Sequence, residues 1–592
     1  MNNTTIGAII AKLRCEKKYS RAKVCRGLCS TQMLIKIEND NADTDKFMLD
    51  MLLQRLGKSP DRLEVILSDE EYEKIYARDY IEELIWKNEK KQAYSFLEEY
   101  EQRYAKDSNA QKMFVFRTKA YIYHFLEHDI KNAEIYIKKA ISITLPEINE
   151  YNINEYLLAE NEIENLLELG LCFFEKEMYA DVEQLLKFCQ KYIDENTTDE
   201  LEYAKLNSKL SWLMAKLLIK NLKYIGAYQI CENAMELLRK HGILYFMIPL
   251  LEQLMICNDN LGISGSKWEF YYNAILKLYN HYGEEWYCHN SIFHNCSQTC
   301  YYLASEFVKY ERQAQKITQE KLIEGVYEEP ENLSRMENGK AMPAKKKLEG
   351  LIKNLGFERG KYCGSAIVEN FETLEIKYEI DILMGTGNFK EAKKHLAFLQ
   401  DTLDCTKKMN LVAIDIYQTI ISSECGEIDA KETCQKLSHL LEESFLMKDG
   451  MIYRVPFFNE LFALNMICRN LRKQNKTQES IAIYDAIISA VDASKINAKY
   501  QNTIMSLVLA NTSLITSDKE RCNRGISFEL YCGKGKMIYM YLISQIDLEH
   551  PKNNNRELVQ MAFYLSDLFY RGKNKFKVKK FYEQTYGQLP IT

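Results

Sequence analysis

The sequence predicts an all-α protein in which one layout, a small bundle of helices followed by a long helical array, occurs twice. Helix-breaking residues are scarce, since only 8 of 592 residues are Pro and 24 are Gly. The hydrophobic share of 46% is that of a folded chain. Residues 37–39 (IEN) recur as residues 336–338 (MEN), and the same offset of 299 residues relates Ala93 to Ala392. This repeat predicts that the chain consists of two halves with the same order of domains.

The first bundle starts with residues 6–18, whose apolar side chains recur at helical spacing. Ser20 and Ser30 are suited to cap two short helices, and Gly27 to turn the chain between them. The second of these helices, residues 31–38, buries its apolar face. Its other face stays exposed, as in a recognition helix that enters the major groove of DNA.

These residues resemble the lambda-repressor/Cro-type (Xre) helix-turn-helix, whose signature is TQxxLAxxxGVSxxxISxIENGxxxP. The second copy carries more of the signature: TQE at 318–320, LSR at 333–335, ENGK at 337–340 and Pro343. The first copy is one residue shorter in the corresponding stretch and has Asp40 in place of the Gly. The resemblance covers about 50 residues of each copy.

Positive charge is concentrated in the first copy. Between Lys12 and Lys36 there are eight basic residues and one acid, a local charge of +7 in a chain whose net charge is −6. Such a patch is typical of one phosphate-contacting module. The resemblance implies that Thr31, Gln32 and Lys36 present the reading surface to double-stranded DNA. It also implies contacts to backbone phosphates from four further residues: Arg14, Lys17, Lys18 and Arg26.

The second copy lacks this surface, because Glu328, Glu329 and Glu331 occupy it. Phosphates repel carboxylates, so we expect this copy to have a structural or protein-contact role.

The two arrays consist of helix pairs with a small residue in the second helix of each pair. In the first array these are Ala93, Ala133, Ala180 and Ala227. The pairs resemble lengthened tetratricopeptide repeats, which stack because one pair cannot bury its apolar face alone. With the N-terminal module, they resemble the RRNPP group of cytosolic peptide-pheromone receptors. That resemblance implies a short signalling peptide or protein ligand in the repeat groove and a homodimer; it assigns no ligand-binding residue.

The domains predicted are four: an Xre-type helix-turn-helix domain at 1–62, a tetratricopeptide-like array at 63–312, a degenerate helix-turn-helix-like domain at 313–360 and a second array at 361–592. The function predicted is a ligand-responsive transcriptional regulator. The alternative is a protein–protein interaction scaffold in which both helix-turn-helix units are structural.

Other classes of function find no support in the sequence. There is no catalytic motif and no phosphate loop, so we expect neither an enzyme nor a cofactor. The 17 Cys form no CxxC pair, and the Cys/His run at 288–300 is expected to pack rather than to bind a metal. No signal peptide and no apolar run of membrane-spanning length are seen, which predicts a cytoplasmic protein without membrane contact.

Overall fold

The computed structural model describes residues 5–587 apart from 43, 149–151, 153–154, 284–299, 342, 357–365, 449–450, 547–554 and 570–571. Within these residues the all-α prediction is confirmed: there are 29 α-helices and four short strands. None of the described helices is long and apolar enough to cross a membrane.

The first half starts with the module helices α1 (Ile6–Glu16), α2 (Arg21–Cys25), α3 (Thr31–Glu38) and α4 (Lys46–Arg55). A 3-10 turn (Pro60–Arg62) and strand β1 (Glu64–Leu67) lead into the array. The array helices are α5 (Asp69–Trp86), α6 (Lys90–Tyr104), α7 (Asn109–Tyr121), α8 (Ile130–Thr144), α9 (Glu160–Glu175), α10 (Tyr179–Asn196), α11 (Glu200–Lys220), α12 (Tyr224–His241), α13 (Met247–Leu261) and α14 (Lys267–Tyr282). A π-helical turn, Ile122–Leu126, follows α7.

The second half repeats this order. Strand β2 (Cys300–Leu303) precedes the module helices α15 (Ala304–Ala314), α16 (Gln319–Leu322), α17 (Pro330–Glu337) and α18 (Lys345–Asn354). Its array helices are α19 (Phe371–Thr386), α20 (Phe389–Thr402), α21 (Lys408–Glu424), α22 (Ala430–Glu443), α23 (Phe458–Lys473), α24 (Thr477–Ala493), α25 (Asn502–Thr516), α26 (Lys519–Tyr531), α27 (Ile538–Ser544), α28 (Arg556–Leu568) and α29 (Gly572–Tyr586). The hairpin β3 (Met447–Lys448) and β4 (Met451–Ile452) and a 3-10 turn (Ala498–Gln501) complete it.

The predicted caps of the first module are present. The Ser20 and Ser30 hydroxyls accept hydrogen bonds from the backbone N–H groups of Lys23 and Met33, each at 3.1 Å. Gly27 has φ +74°, and a Cβ there would lie 2.0 Å from the Thr144 carbonyl oxygen. The turn between α2 and α3 therefore needs glycine twice, for its conformation and for its close packing on the array.

The small residues of the repeats follow a register that the sequence prediction missed at one place. Ala93, Ala133 and Ala227 are fully buried, and each lies four positions after the N-cap of its helix. In α10 this position is Val182, also fully buried, while Ala180 is exposed. The prediction for Ala180 was wrong because the first residue of α10 was not located from sequence.

The strands were not predicted. β1 pairs with β2 in parallel, Glu64 opposite Cys300 through Leu67 opposite Leu303. Short apolar runs such as these fit a strand or a buried helix equally well by periodicity. The pairing joins the end of the first module to the start of the second.

Corresponding parts of the two arrays also meet. The Leu244 N–H donates to the Gly533 carbonyl at 2.9 Å, and the Gly535 N–H donates to the Gly242 carbonyl at 2.8 Å. α14 packs against α28, which has the same place in the second half. The chain thus closes on itself, and residues of the second half cover the inner side of the first array.

Candidate functional site

The predicted reading surface lies on the exposed face of α3. Gln32 and Lys36 are exposed, Thr31 is half-buried, and Lys18, beyond the end of α1, is exposed. Ile35, between them, keeps 37% of its surface accessible. Leu34 and Ile37 hold the opposite face in the core. The polar face is therefore presented outward.

Arg14 is not on that face. Its guanidinium is buried and donates from Nε and Nη2 to the Glu38 carboxylate at 2.6 and 3.2 Å. The hydrogen bond to Glu38 raises the pKa of Arg14. A guanidinium engaged in this way stabilises the module and is not free for a phosphate, so its placement argues against the predicted contact.

Lys17 and Arg26 face the seam between the module and the array. Lys17 is half-buried near Gly57, and burial together with Lys58 lowers the pKa of its ammonium group. The Arg26 guanidinium lies 4.0 Å from the ring centroid of Tyr156. Both side chains are therefore only partly exposed.

The second module keeps the internal construction and presents the opposite charge. Arg312 donates to Glu337 from Nε and Nη2 at 2.6 and 3.0 Å, matching the pair in the first module. The predicted acidic surface is exposed at Glu328, Glu329 and Glu331.

The first module is fixed to the array by one buried arginine at the end of α4. Arg55 donates from Nη1 to the carbonyls of Val24 and Arg26 at 3.0 and 2.7 Å. Its Nη2 donates to the Thr144 carbonyl at 3.1 Å, and its guanidinium pairs with Glu162 of α9. A buried, fully bonded pair of this kind fixes geometry, and losing either partner leaves a costly buried charge.

A cavity of about 150 Å³ lies where this module, the first array and the second half meet. Its wall includes residues of α4, α5, α7, α9 and α11, together with Tyr301 of β2 and the Lys499–Tyr500 turn. Seven carboxylates and five cationic side chains line it. So dense a set of charges is unusual inside a protein and requires pairing.

Most of these charges are paired with one another. Arg117 donates to Glu82 at 2.9 Å. Lys499 donates to Asp79 at 3.1 Å. The Lys205 ammonium lies 3.2 and 3.3 Å from the carboxylates of Asp61 and Glu202. Lys46 pairs with Asp50, and Arg78 donates to Tyr100 and Gln111.

The pKa values of the wall carboxylates show that the neighbouring cations offset the effect of burial only in part. Burial raises the pKa of Asp50 to about 6 and that of Glu82 to about 7, despite the opposing charges of Lys46 and Arg117. Burial acts in the same direction on Asp79, but Lys499 and the Tyr500 hydroxyl outweigh it, so the pKa of Asp79 is lowered.

Two carboxylates of α9 complete the wall, Glu160 and Glu164. Glu160 and Gln54 of α4 exchange two hydrogen bonds: Gln54 Nε2 donates to the Glu160 carboxylate at 2.9 Å, and the Glu160 backbone N–H donates to Gln54 Oε1 at 3.2 Å. Glu164 accepts from the Tyr245 hydroxyl at 2.7 Å. Burial, and then Glu202, raise the pKa of Glu160 well above its ordinary value.

Sequence reasoning missed these cavity residues. The one available signal is the spacing of Glu160 and Glu164 on α9, and acids at this spacing usually mark a solvated face. Only the closure of the array by distant segments turns that face inward.

The predicted absence of a metal site is untested for most of the Cys/His run, since residues 284–299 lie outside the described residues. Elsewhere in the described chain, His124, Glu168 and Cys172 come together. Both His124 ring nitrogens face carboxylates, Nδ1 to Glu168 at 2.6 Å and Nε2 to Glu175 at 3.1 Å. Although burial opposes it, the charge of Glu168 raises the pKa of His124 to about 9. His124 is thus held by ion pairs to two carboxylates, and Cys172 lies beside them.

Comparisons with known proteins add little to this geometry. No family model matches the chain, and no curated protein matches it. Among solved structures, it is similar to Bacillus thuringiensis PlcR in complex with the peptide PapR7 and DNA, at 15% identity and a TM-score of 0.30. That match covers 46% of this chain and 98% of the other. The functional argument therefore rests on the site.

Proposed function

We propose that the protein is a sequence-specific DNA-binding transcriptional regulator whose first helix-turn-helix is controlled by a ligand in the central cavity. One observation carries the proposal: α4 belongs to both sites. Its Arg55 holds the turn before the recognition helix, and its Gln54 bonds to a carboxylate in the cavity wall. A ligand that changes this wall acts on the module through a helix they share.

The proposed DNA contacts follow from exposure. Gln32 and Lys36 would reach base edges or phosphates, with Thr31 and Lys18 beside them. Lys17 and Arg26 lie in the seam and would reach phosphates only after the module leaves the array. Arg14 is not among the proposed DNA contacts, because its guanidinium is bound to Glu38 inside the module.

The short signalling peptide implied by the family resemblance remains part of the proposal, as do a homodimer and a cytoplasmic location. The cavity limits how such a ligand would enter. Its volume of about 150 Å³ matches that of an engineered cavity that holds benzene. One residue of a peptide, or one small molecule, would fill it.

The proposal is tested by selecting bound sequences from a random duplex pool with the intact protein. The Gln32→Ala/Lys36→Ala variant is compared with the Glu331→Gln/Asn332→Ala variant, which alters the corresponding surface of the second module. We expect a motif from the natural protein and from the second variant, lost in the first. A motif that survives in the first variant, or no motif in any arm, would refute this assignment.

The alternative is an interaction scaffold. The observation that favours it is the use of Lys17, Arg26 and Arg55 in contacts between module and array. A scaffold would show no steep dependence of DNA affinity on salt, whereas neutralised phosphates give such a slope.

A further inference from the structure

We propose that the central cavity binds an organic cation, an ammonium or guanidinium group, between the carboxylates of Glu160 and Glu164. This inference specifies the ligand of the regulator proposed above and rests on that function only for its consequence, not for the binding itself.

The first argument is charge. The wall holds two more carboxylates than cationic groups. Among the described residues, the ion pairs given above leave two carboxylates, those of Glu160 and Glu164, without a cation within ion-pair distance. Their hydrogen-bond partners are neutral, the Gln54 amide and the Tyr245 hydroxyl. Lys205 acts on Glu160 only at longer range, being paired with Asp61 and Glu202. Arg117 acts on Glu164 only at longer range, being paired with Glu82. Two such carboxylates one helical turn apart favour a cation between them.

The second argument is the internal duplicate. Glu162 of α9 corresponds to Glu460 of α23, since each accepts the N-cap backbone N–H of its helix. In this alignment Phe458 and Phe462 stand where the first half has Glu160 and Glu164. The two phenylalanine rings pack edge to face at 5.0 Å. The helix pair thus does not need acids at these positions to fold, and a binding role explains the two carboxylates.

The third argument is the remaining wall. Tyr121, Tyr245 and Tyr301 supply aromatic surface that suits a cation. The Nε of Arg117 is buried and has no hydrogen-bond partner within the described structure. It offers a donor to an acceptor atom on the same ligand. An amine with a neighbouring carbonyl, such as the amino terminus of a peptide, satisfies both ends, and a free amine satisfies one.

Binding has a consequence for the module. A cation at Glu160 competes with the Gln54 amide for the same carboxylate, and Gln54 adjoins Arg55 on α4. The ligand therefore acts on the contact that joins α4 to the first turn of α9.

Calorimetry on the full chain, without DNA, tests the binding. The probes are butylammonium, butylguanidinium and leucinamide, with butyrate and 1-butanol as anionic and neutral controls. We expect heats from the three cations, the tightest from leucinamide, and none from the controls. Leucinamide binding more tightly than butylammonium points to a peptide terminus, and equal affinities point to a free amine.

The variants Glu160→Gln and Glu164→Gln keep hydrogen-bond acceptors and remove charge. Each should weaken cation binding at least tenfold, whereas Glu195→Gln, the same change at an exposed position of α10, should leave it unchanged. Unfolding curves confirm that each variant is folded. No cation binding, butyrate binding, or equal affinity in the Gln variants would overturn the inference. Because DNA is absent, these outcomes are separate from failure of the DNA selection.

Discussion

The two helix-turn-helix modules share one internal construction and differ in the residue that binds the turn of each, Arg55 in the first and Asn354 in the second. In the first, Arg55 binds the carbonyls of the turn and extends to Glu162. In the second, Asn354 binds the corresponding carbonyls of Leu322 and Glu324, at 2.8 and 2.9 Å, and makes no hydrogen bond to the described part of the array.

In the second array, the buried glutamate that corresponds to Glu162 is Glu460, and an arginine of the array itself pairs with it. Arg454 pairs with Glu460 at 2.7 Å, donates to the Ser444 carbonyl at 3.2 Å and also pairs with Glu311 of α15. Both halves thus contain a buried glutamate paired with an arginine. The arginine comes from the module in the first half and from the loop before α23 in the second half. The difference teaches that the first module supplies the arginine of its link to the array, beside a charged cavity, whereas the second module supplies a carboxylate, Glu311.

The largest expected effect comes from breaking this link. Arg55→Met leaves the buried Glu162 carboxylate without its cation, which costs about 3–5 kcal/mol. Chemical unfolding with amide exchange should show the loss, with faster exchange in the turn at 26–30. Arg454→Met should cost a similar amount yet spare that turn. Equal exchange in the two variants would contradict the different roles given to the two arginines.

The next effect concerns DNA. Gln32→Ala/Lys36→Ala should lower the affinity for a selected duplex by about 10- to 100-fold, because one good base contact contributes about 1–3 kcal/mol. Titrations at several salt concentrations measure it. The matched change Glu331→Gln/Asn332→Ala should leave affinity within error. A comparable loss in that variant would assign reading to both modules.

A third variant gives α9 the two phenylalanines that α23 has at the corresponding positions. Glu160→Phe/Glu164→Phe replaces two carboxylates in the cavity wall by the rings found in α23. We expect cation binding to disappear while the protein stays folded, since the corresponding positions of α23 carry these rings. Thermal unfolding and calorimetry check the two parts. Retained cation binding would contradict the role of these acids.

The helices and caps were predictable because their signals are local. Ser20, Ser30 and Gly27 act within a few residues, and the offset of 299 residues can be read from identical residues in the sequence. Ala180 was misplaced because the register of a repeat depends on the first residue of its helix.

The candidate site was less predictable. The exposure of Gln32 and Lys36 follows from the motif, but the burial of Arg14 depends on Glu38, and the position of Arg26 depends on Tyr156 in a loop of the array. The cavity wall combines α9 with segments hundreds of residues away in the chain, which no local pattern predicts.

The smallest effect is a dependence of stability on pH. Unfolded Asp50 and Glu82 lose their protons near the ordinary values of 3.8 and 4.5, whereas the folded protein holds them to about 6 and about 7. Their contribution to stability is therefore complete at low pH and is lost as pH rises through this range. Lys46, Asp61 and Arg78 act on Asp50, and Arg117, Asp79, Lys499 and Glu164 act on Glu82.

Unfolding curves between about pH 4 and 8 measure this slope. Glu82→Gln should flatten it, while Glu331→Gln, at an exposed position, should not. A slope of the opposite sign that responds to Glu82→Gln would contradict the assignment.

The most direct test of the coupling between cavity and module is amide exchange with and without leucinamide. We predict that leucinamide changes exchange in residues 24–38 of the first module and leaves residues 322–337 of the second unchanged, and that Glu160→Gln removes the effect. Leucinamide that binds in the cavity without altering residues 24–38, or that alters both modules alike, would contradict a link through α4.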